Sequence, residues 1–335
     1  MLAKLTSRTA LVASATAFAT ALATAVAAMP AYAADAWPDH PIRLIVPFPA
    51  GGQLDVVSRL VAERIAPALG QPIVVEVRPG ADGNIGTEAV AKSKPDGYTW
   101  LAVSPPTTIQ PAVRPKTLRY APMKDFAPVA FIGTSPFLFV VPASLPVNTL
   151  QEFIAYAKAH DGQISYAGSS FGTVVHLASE TFKHDAGIRM EMINYPGQPS
   201  ALADLLSGRV QFMCLGAILA DPQVKAGKLK ALAVLDAQRY AKMPDVPTAT
   251  ELGFPDLVMA TWFGIAMPAG TPEPVVAKVN AEIMKVLASP EVVAKLKQIG
   301  VDPASANSPA QFAAFMRDDL ARWKKTAAAA GVSLD

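Results

Sequence analysis

Short apolar runs alternate with amphipathic stretches along most of the chain. Residues 42–46 form a β run bounded by Pro41 and Pro47. Gly51-Gly52 then opens a segment with Leu54, Val57, Val61, Ile65 and Leu69 at spacings of three and four. That spacing makes one helical face, which Gly70 ends. A strand at 73–77, a Gly-rich turn from Gly80 to Gly86, a helix at 87–92 and a strand at 98–103 follow. The order β-α-β-α-β predicts a parallel sheet with helices on both faces.

The rhythm repeats with strands at 137–141, 164–167, 190–194, 210–213 and 230–235. Helices at 150–160, 173–185, 200–207 and 217–226 separate them. A strand at 261–267 and helices at 274–288, 290–299 and 309–329 complete the pattern. Two α/β lobes account for it, and the strands near Phe137 and Thr261 are the places for the chain to cross between them. No internal repeat or low-complexity linker breaks the order.

The first 33 residues have a different character. Lys4 and Arg8 precede an uncharged stretch rich in Ala, Thr, Leu and Val, and Ala31-Tyr32-Ala33 supplies a small-residue cleavage site. This predicts a secretory signal peptide, residues 1–33, cut after Ala33. Cleavage removes two of the 29 bases and none of the 27 acids, so the +2 of the whole chain falls to zero. No later apolar run is long enough to span a bilayer, so no insertion is expected after cleavage. The absence of a block of like charges argues against a nucleic-acid partner. The single cysteine, Cys214, permits no internal disulfide and no Cys-based zinc site; its strand pattern makes it a small buried hydrophobe. These features point to a periplasmic location.

Two strand-to-helix junctions carry the candidate chemistry. Phe48, Pro49, Ala50, Gly51, Gly52, Gln53 and Asp55 form the first. Glycines there let backbone N–H groups approach an anion at the positive end of the following helix. The same residues also make an ordinary tight turn, with Asp55 complementing the helix dipole. Ser169, Ser170, Phe171, Gly172, Thr173 and His176 form the second, offering hydroxyls and free amides. Ser170 or Thr173 also serves as a helix cap. The missing Walker lysine disfavours a nucleoside triphosphate.

Other patterns carry less. His176, Glu180 and His184 share a helical face, but a third turn places the last group about 12 Å from the first, so a solvated face is expected rather than a metal site. Gly80 to Gly86 has the wrong spacing and position for a dinucleotide loop. No G-x-S-x-G elbow supplies a nucleophile. Binding therefore fits better than catalysis, with no cofactor and no metal.

The run IRLIVPFPAGGQLDVVSRLVAERIAPALGQPIVVEVRPGADGNIGTEAVAKSKPDGYTW, with the later blocks DFAPVAFIG, SYAGSSFGTVVHLASETFK, DLLSGRVQFM, MPDVPTATELGFP and WFGIAMPAGTP, resembles the Bug-type extracytoplasmic receptors of tripartite tricarboxylate transporters. The resemblance implies a type II periplasmic-binding-protein fold, two α/β lobes joined by two crossing strands with a ligand cleft between. The implied division is 34–136 plus 258–335 for lobe 1 and 137–257 for lobe 2. It further implies capture of a small carboxylate by a monomer, with membrane subunits of the transporter as partners, and it maps onto both junctions named above. A carboxylate sensor serving a signalling partner, or a secreted α/β enzyme, are the alternatives. Asp82 departs from the family pattern, which usually has Gly there. Around the cleft, Tyr195 begins a turn lacking the usual lysine, Leu215 is unusually apolar, and Ser104 to Thr108 reads as a stiff loop offering Ser104 and Thr107 hydroxyls. These choices favour a ligand with an apolar or aromatic body over citrate.

Overall fold

The computed structural model describes residues 37–329 and 333–335. The expected signal peptide, residues 1–33, lies outside the described residues. His40–Asp335 forms one compact unit containing two mixed sheets.

The first sheet begins as the pattern predicts. β1 (Ile42–Val46) lies between β2 (Ile73–Val77) and β3 (Thr99–Val103), all parallel. Helix α1 (Gln53–Leu69) buries Leu54, Val57, Val61, Ile65 and Leu69 and stops at Gly70, which takes the left-handed conformation at φ 71°. Helix α2 (Asn84–Ala91) starts three residues before the predicted helix. The glycines ahead of it serve packing: the ring of Phe48 lies so close to Gly83 that a Cβ there would sit 2.7 Å from it.

Two elements depart from expectation. Residues 104–108, read as a stiff loop, instead lead into helix α3 (Pro106–Val113), in which Pro106 takes a first-turn position. A proline has no N–H to lose there and its φ is already helical. A further ten-residue strand, β4 (Phe126–Ser135), follows the short helix α4 (Pro122–Asp125). Its partner β10 (Thr261–Pro268) runs antiparallel to both β3 and β4, so the sheet is mixed rather than wholly parallel. β11 (Asp302–Pro303) completes the order β11-β4-β10-β3-β1-β2.

The second sheet has order β7-β6-β8-β5-β9, built from β5 (Phe137–Pro142), β6 (Ser165–Ser169), β7 (Glu191–Tyr195), β8 (Phe212–Gly216) and β9 (Leu229–Val234). Helices α5 (Leu150–Ala159), α6 (Val174–Ala186), α7 (Gln198–Leu206) and α8 (Ala217–Lys225) connect them. The two sheets share a plan: three parallel strands, then an antiparallel one arriving from the other sheet's side of the chain, then one more in the second sheet and two more, β4 and β11, in the first. β5 enters the second sheet directly after β4, and β10 enters the first after the second is complete. Both passages lie side by side, since Thr261 pairs with Ser135.

Helices α9 (Glu273–Ala288), α10 (Pro290–Gln298) and α11 (Pro309–Ala329) finish the chain close to their predicted spans. The second lobe's core is an aromatic cluster in which Phe182 meets Phe139 at 4.8 Å, Phe212 at 5.3 Å and Phe254 at 5.4 Å between ring centroids. Ile109 and Val113 of α3, with Trp323 and Ala327 of α11, are buried in the same cluster. Cys214 is fully buried there, and burial pushes its thiol pKa up, as the small-hydrophobe reading requires.

Truncating Phe182 to Ala should cost about 3–5 kcal/mol, the usual range for a fully buried phenylalanine. Urea denaturation monitored by circular dichroism measures this; a loss below about 1 kcal/mol would show that the cluster relaxes around the gap.

Candidate functional site

A cleft with about 590 Å³ of empty space, part of it open to solvent, lies between the sheets. Phe48, Pro49, Gly52 and Gln53 line it from the β1–α1 junction, and Ser169 and Thr173 from the β6–α6 junction. Ser104 lines it at the start of α3, as Gln198 does at the start of α7. The N-terminal ends of α1, α3, α6 and α7 therefore converge on one space. No Asp, Glu, Lys, Arg or His is among its described lining residues, so its electrostatics come from backbone dipoles and neutral donors.

The four ends are not equivalent. Pro105 and Pro106 start α3, and Pro199 follows Gln198 in α7, so these ends bring dipole but few N–H groups. α1 and α6 bring both. At α6, Thr173 is the cap: its hydroxyl accepts from His176 N–H at 3.4 Å and donates to the carbonyl of Ser169 at 2.9 Å. That hydroxyl is committed to the fold. The amides of Val174 and Val175 are the first-turn groups without an intrahelical partner, and both residues line the cleft.

At the first junction the expectation of open amides needs correction. Asp55 turns back to accept the Gly51 N–H at 2.8 Å, while Arg59 holds its other oxygen at 2.8 Å. The Gly52 N–H goes to the carbonyl of Pro49 at 3.3 Å. A side-chain carboxylate thus already fills the anion slot at Gly51. Neither Ala50, Gly51 nor Asp55 lines the cleft, and what α1 presents is Gln53 and Leu54. Gln53 is buried with an unpartnered side-chain oxygen, and its amide group packs against the backbone of Gly216 from the other sheet.

The remaining expected residues support the loops from behind. Thr107 accepts the Ser104 N–H at 3.4 Å. Ser170 sits at φ 65°, strained for a residue with a Cβ, with its N–H on the Tyr195 carbonyl at 3.0 Å. Phe171 and Gly172 are held by hydrogen bonds to Asp82 and Gln110. The Tyr195 hydroxyl donates to Asp204 at 2.7 Å, and Leu215 belongs to the core beneath β8. His176 is buried, not on a solvated face. Gly172 N–H approaches its Nδ1 at 3.4 Å, and the Phe171 ring meets it edge-on at 5.4 Å. Burial lowers its pKa, partly offset by the Glu180 carboxylate, so the imidazole is held neutral. Glu180 binds Lys183 and the Tyr166 hydroxyl instead of a metal.

Sequence reasoning missed the apolar walls. Leu54, Phe137, Val174, Val175 and Phe263 all reach the cleft, as does Thr261. Their periodicity reads as core, and only the three-dimensional position of the helix starts separates them from it.

The chain matches the family described as "Tripartite tricarboxylate transporter family receptor" over residues 57–332. It belongs to that family. Among its curated relatives, Protein BugT of Bordetella pertussis is 36% identical, the alignment covering 90% of this chain and 92% of the relative. Two solved structures extend the likeness. "R. palustris Rpa4515 with adipate" is 34% identical at a TM-score of 0.85, over 89% of this chain and 99% of that one. "MatC (Rpa3494) from Rhodopseudomonas palustris with bound malate" is 32% identical at 0.81, over 87% and 99%. The two-lobed fold of this receptor family is therefore the fold of this chain, Bug-type resemblance included. Among the described residues of this receptor, no helix is long and apolar enough to cross a membrane, and no group of acidic, His or Cys side chains is arranged to hold a metal.

Two outcomes follow from the site. In Gly216→Ala the new methyl would overlap the Gln53 amide, which comes from the opposite lobe. Ligand affinity should fall about tenfold or more, a cost of at least ~1.4 kcal/mol, with the melting temperature of the free receptor nearly unchanged; calorimetry beside a thermal melt checks both. For His176, the folded pKa lies below the ordinary 6.5. Its contribution is thus complete above the unfolded value and is lost as pH falls through the folded one. Relative to His176→Gln, the parent should lose thermal stability between pH 7 and pH 5; a pH-independent difference would show that the buried ring is not responsible.

Proposed function

We propose that this receptor captures a small carboxylate with an apolar body between its lobes and passes it to the membrane subunits of a tripartite tricarboxylate transporter. The carrying observation is the cleft itself: converging helix N-termini on a surface with no ionised side chain among its described lining residues. An anion there gains from first-turn amides and dipoles, each helix end being worth roughly 0.3–2 kcal/mol. Hydrogen bonds to a charged group add about 1.5–3 kcal/mol each. Because Asp55 already occupies the slot at Gly51, the carboxylate belongs at Val174 and Val175, with the Ser169 hydroxyl beside it. The body then runs along Phe48, Leu54, Phe137 and Phe263. A distal carboxylate accepts from the Ser104 hydroxyl, and a water donates both to it and to the open oxygen of Gln53, which itself only accepts.

Neighbours solved with adipate and malate support a carboxylate as cargo. The apolar wall supports adipate-like or aromatic acids over citrate. The reading makes the protein a carrier without turnover, supported by its receptor relatives and by a described lining that offers no ionisable acid–base pair. The reading places it in the periplasm as a monomer, after removal of residues 1–33. The division at 136–137 and 257–258 gives the two bodies that close on the cargo, with Ser135, Pro136 and Thr261 at the crossings.

A thermal-shift screen with adipate, malate, citrate, benzoate and terephthalate, with glucose and putrescine as controls, tests this. A micromolar ligand at millimolar concentration stabilises by about 4 kcal/mol. Adipate or an aromatic acid should give the largest shift and emerge chemically unchanged. A response to glucose or putrescine alone, or conversion of the acid to product, would overturn the proposal.

A further inference from the structure

The loop that precedes α6 is shaped by the opposite lobe. Phe171 N–H donates to Asp82 Oδ1 at 3.0 Å, and Gln110 Nε2 donates to the carbonyls of Phe171 at 2.7 Å and Gly172 at 3.2 Å. Asp82 lies between β2 and α2, in the part of the chain that builds the first sheet, and Gln110 lies on α3, which follows β3 and packs Ile109 and Val113 into the second lobe's core. The two are coupled. Arg114 donates to Asp82 Oδ2 at 2.8 Å and to Gln110 Oε1 at 3.0 Å. A third bond from Arg114 reaches the carbonyl of Leu334 at 3.0 Å. Gly172 makes the close fit possible: at φ 64°, a Cβ there would meet Gln110 Nε2 at 2.8 Å and Val113 at 2.9 Å.

Asp82 also carries a local cost. It stands at φ 58°, where glycine is comfortable and a residue with a Cβ is not. Nothing in its own loop requires an acceptor side chain at this position, whereas the contacts with Phe171 and Arg114 do. None of Asp82, Gln110 or Arg114 lines the cleft.

We infer that Asp82, Gln110 and Arg114 form a closure latch whose positioning residues, Asp82 and Gln110, set the backbone of Phe171-Gly172. Through it they set the direction of the Val174 and Val175 amides. The second lobe's anion site is then set while the first lobe is docked on it, a state the receptor samples without cargo, so closure prepares the site and capture in turn favours closure. This rests on the carboxylate-binding reading above for its ligand, but the latch itself has a signature that needs no ligand.

The test compares full-length receptor with Asp82→Ala, Asp82→Asn, Asp82→Gly and Gln110→Ala. Hydrogen exchange across residues 170–175 is followed without ligand, and adipate affinity by calorimetry. Loss of a hydrogen bond to a charged acceptor predicts exchange faster by about tenfold in Asp82→Ala and Asp82→Gly. Gln110→Ala should behave likewise. Asp82→Asn keeps the acceptor and tolerates the left-handed conformation, so it should restore most of the protection. Asp82→Gly should melt no lower than the parent, which separates the latch from a merely structural role. Where adipate binds the parent, its affinity should weaken about tenfold in the variants that lose protection. Unchanged exchange in Asp82→Ala and Gln110→Ala, or equal loss in Asp82→Asn, overturns the latch whatever adipate does. Failure of adipate and the other acids to bind the parent, with the exchange pattern as expected, overturns the carboxylate reading and leaves the latch standing.

Discussion

The arrangement depends on amide hydrogens that a helix cannot use for itself. The first turn of α6 leaves the Val174 and Val175 N–H groups without carbonyl partners, and the fold turns them into a space lined by neutral residues. In the proposed reading, water satisfies such groups when the lobes part and an anion does so better when they are together, because low-dielectric walls strengthen the attraction. Everything nearby keeps that end open. Thr173 caps the third amide, Ser170 takes up backbone strain, and buried His176 braces the loop from behind.

The asymmetry between the two junctions follows from one carboxylate. Asp55 neutralises the start of α1 from within, so that lobe contributes shape and a single amide side chain. α6 keeps its field for the guest. In the proposed reading, a cleft with one electropositive end and one adaptable end fixes the orientation of its cargo. It does so without an arginine, whose bidentate grip would slow release.

Much of this was legible in the residues. The spacing of Leu54, Val57, Val61, Ile65 and Leu69 gave α1 to within a residue, and Phe137 and Thr261 open the strands β5 and β10. Proline hid the rest. Pro128 sits inside β4, a span over which the pattern predicts no element, and Pro105-Pro106, within the stretch read as a stiff loop, heads α3. The site was legible as two glycine- and serine-containing junctions but not as a set of contacts. Which amides are free depends on where the Asp55 and Thr173 side chains turn, and composition cannot report that. The face of His176 was misjudged for a related reason: helical spacing tells which residues share a side, not which side is covered.

β4 also constrains the order in which the molecule can assemble. Its neighbours in the sheet are β10 and β11, both made more than a hundred residues later. The segment from Phe137 to Val234 contains every strand of its own sheet, so it has what it needs first. Until residue 268 exists, Val129, Ala130, Phe131 and Ile132 have no strand beside them, and a bare apolar edge of that kind invites pairing with other chains. The earlier-synthesised half is therefore the last to mature.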